Sequence, residues 1–201
     1  MVVVGVVIVD LTVSLDGFIA GPGDGPSAPL GRGGEPLFAW MMTGPRDPID
    51  PRLSVVEPSR PILDEWRSGA GAIVSGRRTF DIANGWAGGH PIDAPIFVLT
   101  HQAPTSGEWS PRVRFVTEGF DRALALAREA AGDGAISLNG ADVAQQALRA
   151  GVLDEIQVSV VPLLLGGGVR LFDGIGPVAL EQTRVIPSDG VTHLRYRVVK
   201  E

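Results

Sequence analysis

Hydrophobic positions along this chain fall into two rhythms. Short apolar or alternating runs occur at residues 2–13, 72–75, 95–100, 113–117, 135–138 and 156–162, with two more at 178–186 and 191–200. Most are rich in valine and isoleucine, whose branched side chains suit a pleated surface, so each reads as a strand. Between them the period lengthens. Phe120, Leu124, Ala127 and Ala131 share one helical face, with Asp121, Arg122, Arg128 and Glu129 off it. Val143, Ala144, Ala147 and Leu148 form a second face, ended by Gly151, where a left-handed backbone can close a helix. A short helix is expected after Gly76 and another over residues 60–67.

Strands alternating with helices of this size predict an α/β fold of three layers, with a mostly parallel central sheet covered on both faces. The tail differs. Leu194, Tyr196 and Val198 alternate with His193, Arg195 and Arg197, after the turn cluster Pro187-Ser188-Asp189-Gly190. This pattern predicts a C-terminal antiparallel hairpin finishing the sheet. The 201 residues are read as one domain. Residues 21–61 interrupt it as an irregular insertion, dense in proline and glycine, around an apolar island from Leu37 to Met42. An irregular segment of that length is a substrate flap, or else it is packing or a dimer contact.

Composition narrows the functional classes. The net charge of −6 argues against a general nucleic-acid binder, which needs clustered cations to meet phosphates. The absence of cysteine removes disulfides, thiolate catalysis and cysteine-ligated metals. His90, His101 and His193 stand apart, without the spacing of metal ligands. The longest apolar run, residues 2–9, is too short to span a membrane, and no basic segment precedes it as in a signal peptide. A cytoplasmic protein without nucleic-acid or membrane partners is expected.

Candidate chemistry gathers where strands meet helices. In Ser75-Gly76-Arg77-Arg78-Thr79 a buried strand runs into a glycine, two arginines and a threonine. Glycine lets a phosphate approach the backbone, a helix start offers free N–H groups, and arginine supplies paired donors. A tight turn with solvated arginines is the plainer reading. Thr100-His101-Gln102 follows the next strand, where open α/β sheets bind ligands. Asn139-Gly140-Ala141-Asp142-Val143 repeats the pattern, with Asp142 favoured by the helix dipole. Together the three junctions outline a nucleotide groove.

The run from Asp10 to Ala20 (DLTVSLDGFIA), these three junctions, Leu153-Asp154-Glu155, Val161-Pro162-Leu163, Gly166-Gly167-Gly168 and Leu171-Phe172 occur in one order. That order resembles the dihydrofolate reductase-like family, in particular the reductase domain of bacterial riboflavin biosynthesis. The resemblance covers nearly all of the chain outside residues 21–61. It implies an NADPH-dependent reductase of the phosphoribosylaminouracil type, a homodimer, transferring hydride to a flat heterocycle. By the same resemblance Arg77, Arg78 and Thr79, with Gly76, hold the cofactor phosphates. Thr100, His101 and Gln102 lie by the adenosine, where Arg77 or His101 recognises a 2′-phosphate. Asn139, Gly140, Ala141, Asp142 and Val143 bracket the pyrophosphate and ribose, and Thr12 and Ile19 flank the nicotinamide. The family's usual Gly-Gly is Asn139-Gly140 here, which argues against a cis bond at that point.

Substrate residues depart from the resemblance. The folate-binding carboxylate of dihydrofolate reductase is replaced at the equivalent place by Arg60, with Asp64 and Glu65 offset from it. Phe18 stands where riboflavin-type reductases carry a lysine, and residues 87–95 lack their phosphate-binding arginine segment. A related but divergent substrate is expected. Asp16 is the candidate catalytic acid by motif; its alternative is a turn aspartate bonding the backbone before Gly17. Trp40, Trp66 and Trp86 either stack on a flat substrate or belong to the core. The Gly166–Gly168 loop shapes the far side of the pocket or a dimer contact. A nucleotide-binding module without turnover and a partner-binding protein are the competing classes.

Overall fold

The computed structural model describes residues 5–200. Ten strands and four α-helices follow one another as β1 (Val7–Ser14), β2 (Phe18–Ala20), α1 (Arg60–Gly69), β3 (Ala70–Gly76), α2 (Arg77–Ile82), β4 (Ile96–Leu99), β5 (Val113–Val116), α3 (Phe120–Ala131), β6 (Ala135–Asn139), α4 (Ala141–Arg149), β7 (Glu155–Val161), β8 (Val169–Arg170), β9 (Leu180–Ser188) and β10 (Val191–Val198). Eight strands form one sheet in the order β5-β4-β3-β6-β1-β7-β10-β9. The pairs from β5 to β7 are all parallel, and β10 runs antiparallel to both of its neighbours. This is the α/β architecture that the hydrophobic rhythm predicts, with its terminal hairpin.

Several boundaries move. The first strand begins at Val7 within the described residues, and the part of the expected run at residues 2–4 lies outside them. The penultimate strand runs to Ser188, so Pro187 and Ser188 are strand and only Asp189-Gly190 turns. Proline is tolerated there because β9 is an edge strand. Two small strands the rhythm did not reveal, β2 and β8, pair antiparallel as a separate ribbon. At three and two residues, they are too short to carry a period.

Alternation along β1 sorts the two faces. Val7, Val9 and Val13 join the main core beneath α3 and α4, with Ala123, Leu124, Ala127, Val143, Ala144 and Ala147 packed on them. Asp10, Thr12 and Ser14 point by the same alternation to the opposite face. That face is covered by α1, α2 and the insertion. Leu37 and Trp40 from the insertion pack with Leu63 of α1, Val161 of β7 and Val191 of β10. Part of the apolar island therefore packs against the core, and Phe38, Trp40 and Met41 also line a cavity.

The insertion is anchored by one buried carboxylate. Asp47 is 2% exposed and accepts backbone N–H bonds from Ile49 (3.0 Å) and Asp50 (2.7 Å). It also pairs with Arg67 (2.8 Å) and Arg60 (3.2 Å) of α1. Burial opposes its charge, but the Asp50 N–H and the Arg67 guanidinium outweigh it and hold the carboxyl below its usual 3.8. A depressed folded pKa stabilises above the unfolded value and loses that contribution as pH falls. Asp47→Asn should destabilise by about 3 kcal/mol at neutral pH, because Arg67 is left buried without its counter-charge. Chemical denaturation should show this loss at pH 7 and a smaller one below about pH 4.

Candidate active site

All six parallel strands, or the residues just after them, contribute to one cavity of about 980 Å³. It opens at the carboxyl edge, where β6 inserts between β1 and β3 and the chain order reverses, the position at which open α/β sheets leave a crevice. Three helices start on its rim. Their N-cap residues are Gly76 for α2, Gly119 for α3 and Gly140 for α4, and none of the three starts carries a side-chain capping bond. The first N–H groups of a helix have no intrahelical acceptor, so these donors are free to meet a ligand. Gly119 has φ 100° and Gly140 φ 110°, a region that side chains rarely adopt. A Cβ on Gly140 would also stand 2.6 Å from Thr79 Oγ1, so glycine there lets the starts of α2 and α4 meet. The Asn139–Gly140 bond is trans.

Every cofactor-side candidate named from the sequence lines this one cavity: residues 76–79, 100–102 and 139–143, with Thr12 and Ile19. Arg77 is oriented by Asp81 (2.8 Å) and donates to the Gln102 carbonyl (3.1 Å), which ties the first junction to the second. Arg78 is already engaged. Its guanidinium bonds the Asp24 carboxylate (2.9 and 2.5 Å) and carbonyl (2.6 Å), so the insertion reaches the first junction of the groove. Asn139 is held from behind by His90, whose Nε2 lies 3.3 Å from the amide nitrogen. The start of α3, with Thr117, Gly119 and Phe120, also lines the cavity and was missed. A Gly before an amphipathic helix was its only sequence signal.

Beyond the groove the cavity passes under α1 along the polar rows of the sheet. Asp10 pairs in register with Gln157, and Gln157 with Arg195; Thr12 pairs with Ser159, and Ser159 with His193. His193 is 1% exposed, with Nδ1 at 2.8 Å from Ser159 Oγ and Nε2 at 2.9 Å from Ser59 Oγ. Burial, helped by Arg184, lowers its pKa to about 4, so it is neutral. Trp40 stands edge-on to His193 at 5.0 Å and donates its indole N–H to Thr12 Oγ1 (3.2 Å).

Asp10 lines the cavity at this depth. Burial raises its carboxyl from 3.8 to about 7, against the pull of Arg195 and Arg184 and with some push from Glu65. Arg184 is occupied by Glu65 (2.6 and 2.7 Å), and Arg195 by Glu155 and Glu65. The cations are thus shared among other carboxylates, which leaves Asp10 under-compensated. Sequence reading passed over Asp10. An acid inside an apolar strand, two residues before Thr12, was the signal.

Asp16 has a different setting. Its carboxylate accepts from Ser14 Oγ (2.6 Å), the Leu165 N–H (3.1 Å) and the Gly166 N–H (2.7 Å), and it is not among the cavity-lining residues. The Ser14 hydroxyl, then those backbone donors, lower its pKa to about 2. Asp16 thus bonds a distant loop rather than its own turn, where Ser14 Oγ accepts the Phe18 N–H instead (3.0 Å). It pins the Gly166–Gly168 loop to the end of β1, and that loop leads into Val169 at the cavity edge.

The geometry agrees with comparisons across known proteins. A family model described as the RibD C-terminal domain matches residues 6–194. The chain belongs to the RibD C-terminal domain family. No curated protein matches the sequence. Among solved structures, a riboflavin biosynthesis protein of Shewanella sp. PV-4 has a TM-score of 0.69 at 23% identity, covering 97% of this chain and 99% of its own. The Thermotoga maritima diaminohydroxyphosphoribosylaminopyrimidine deaminase/5-amino-6-(5-phosphoribosylamino)uracil reductase has a TM-score of 0.61 at 16% identity, covering 97% of this chain and 57% of its own. The Enterococcus faecalis dihydrofolate reductase, in a complex with NADP(H), has a TM-score of 0.59 at 16% identity, covering 97% of each chain. These likenesses establish a shared dihydrofolate reductase-like fold.

Within this RibD C-terminal domain, Phe18 is 5% exposed and covered by the Arg170 guanidinium at 4.4 Å. It is a core residue that brings no cation to the cavity. The segment at residues 87–95 gives Pro91 to the lining and buries Ile92. The two carboxyls of the first strand region should titrate far apart. Carboxyl-carbon NMR is expected to show Asp10 changing near pH 7 and Asp16 ionised down to about pH 2.

Proposed function

We propose that this protein is an NADPH-dependent reductase acting on a flat heterocycle. The observation that carries this reading is the convergence of three glycine-started helices on one cavity that ends at a high-pKa carboxyl. The residues fit the cofactor. Uncapped N–H groups at α3 and α4 are donors suited to a diphosphate, and a Cβ on Gly76 would project into open space, so the backbone there is approachable. Arg77 and His101 share the rim with Thr100 and Gln102, a setting suited to a 2′-phosphate. When bound, NADPH supplies a hydride from its nicotinamide ring.

The reduced product also needs a proton. Asp10 can hold one at neutral pH, since its carboxyl is raised to about 7. After giving it up, the carboxylate is left beside Arg195 and Arg184 and regains a proton from water. Thr12, with its hydroxyl oxygen fixed by Trp40, and Ile19 line the same cavity as Asp10. Asp16, bonded as it is, serves this reading by positioning the loop after β7.

NADPH at 100 times its dissociation constant should stabilise the protein by ~2.7 kcal/mol, seen as a thermal shift, and NADH should do less. Arg77→Ser should weaken NADPH by roughly 10–100-fold and leave NADH nearly unchanged, as expected for one charge-assisted contact of about 1.5–3 kcal/mol. Loss of absorbance from NADPH with a panel of pterins, aminouracils and flavins tests turnover. Asp10→Asn should lower kcat by roughly 10²–10⁴-fold with the NADPH thermal shift retained. In the wild type, kcat should fall as pH rises through about 7, because the acid form of Asp10 is lost there. Cofactor binding with no turnover on any ring would favour a module without catalysis, and no response to NADPH would remove the reductase reading.

A further inference from the structure

The cavity has two chemically distinct halves. Around the three junctions it is polar and carries Arg77 and Arg78. The half under α1 and the insertion is walled by Phe38, Trp40, Met41, Leu53, Trp66 and Trp86. Trp40 cannot turn freely, since its indole N–H is bonded to Thr12 and its ring abuts His193. Trp86 is held with φ +50°, a backbone conformation costly for a bulky residue, and its ring meets Phe80 and His90 edge-on at 6.0 and 5.3 Å. Fixed aromatic planes of this kind match the face of a flat ring.

Charge in this half is sparse. Among the described lining residues it consists of Asp10, Asp50 and Arg52. Arg52 is the only cation there, and it is spent. Its Nε and Nη2 donate to the Asp50 carboxylate at 2.9 and 2.8 Å, and its backbone N–H does so at 3.0 Å. The nearby cations of α1, Arg60 and Arg67, face Asp47, and neither lines the cavity. Neither Phe18 nor residues 87–95 add a cation to the lining. A phosphate placed here would meet the Asp10 carboxyl and an already satisfied ion pair, with no free cation among the described lining residues of this half, whereas a neutral ring would bury apolar surface and keep one polar edge at Asp10.

We propose that this half selects an uncharged, non-phosphorylated planar ring compound, with its faces against the tryptophans, its polar edge at Asp10, and the Asp50–Arg52 pair turning phosphorylated analogues away. The proposal rests on the reductase reading only in calling this compound the substrate. It sets the protein apart from a reductase of phosphoribosylated rings.

The test uses matched pairs that differ by one phosphate, riboflavin against FMN and uridine against UMP, titrated into NADP⁺-saturated protein so that no hydride is transferred. Flavin fluorescence reads the first pair and calorimetry the second. For the pair that fits the walls better, the neutral member should bind at least tenfold more tightly. Asp50→Asn, which releases Arg52, should narrow that gap below threefold. Raising the salt from 20 to 500 mM should also shrink it in the unaltered protein, so the proposal is exposed even if the variant does not fold. Equal or tighter binding of the phosphorylated member would overturn it. So would failure of both neutral rings to bind, or a gap that neither the variant nor salt changes. The same titrations without NADP⁺ separate the two readings. A neutral ring that binds to a protein giving no thermal response to NADPH would sink the reductase and keep the ring class. A response to NADPH combined with a preference for FMN and UMP would do the reverse.

Discussion

Backbone N–H groups that no side chain caps are the constraint around which this molecule is arranged. A helix start normally satisfies them with Ser, Thr, Asp or Asn. Here α2, α3 and α4 all begin at glycine, and all three starts lie on one cavity rim. All four helix starts lack a side-chain capping bond, but α1 begins at Ser59 and only these three begin at glycine, gathered at the carboxyl edge of the parallel sheet. The sheet order explains how this is possible. Inserting β6 between β1 and β3 brings α4 beside α2, and Gly140 lets the two starts meet at Thr79 without a clash.

The second departure from an ordinary core is the polar face of β1, β7 and β10. A sheet row carrying Asp10, Gln157 and Arg195, next to one carrying Thr12, Ser159 and His193, is an expensive thing to place beneath a helix. Most of it is satisfied. His193 bonds Ser159 and Ser59, and Arg184 and Arg195 share Glu65. The exceptions are Gln157, whose buried amide nitrogen has no hydrogen-bond partner among the described residues, and Asp10, where burial outweighs both arginines and leaves a carboxyl able to keep its proton. The insertion completes this half of the cavity from above, anchored through Asp47 and reaching the helix-start half through Asp24 and Arg78. Packing and cavity wall are one role here, since Trp40 belongs to a hydrophobic cluster and to the lining together.

Much of this was legible in the chain. The strand–helix rhythm carries the sheet and its hairpin because each element is long enough to show a period. The junctions at Gly76, Thr100 and Asn139 stood out because glycine and polar residues end apolar strands there. What stayed hidden depended on partners distant in sequence. Asp10 and Asp16 are equally acidic as letters. One is desolvated under α1, and the other is bonded by the backbone of Leu165 and Gly166, about 150 positions away. Arg78 reads as a free phosphate ligand until Asp24 is brought against it. The ribbon of β2 and β8 was invisible because its pairing joins residues 18–20 to residues 169–170.

The central claim is that the helix starts at Gly76, Gly119 and Gly140 together hold a dinucleotide. Amide chemical-shift mapping with ¹⁵N-labelled protein and NADP⁺ tests it most directly. Saturable shifts should be largest at residues 76–79, 119–121 and 140–143, with the Asp189-Gly190 hairpin turn unmoved. Shifts that scatter over unrelated surfaces, or that leave those three helix starts untouched, would contradict the account.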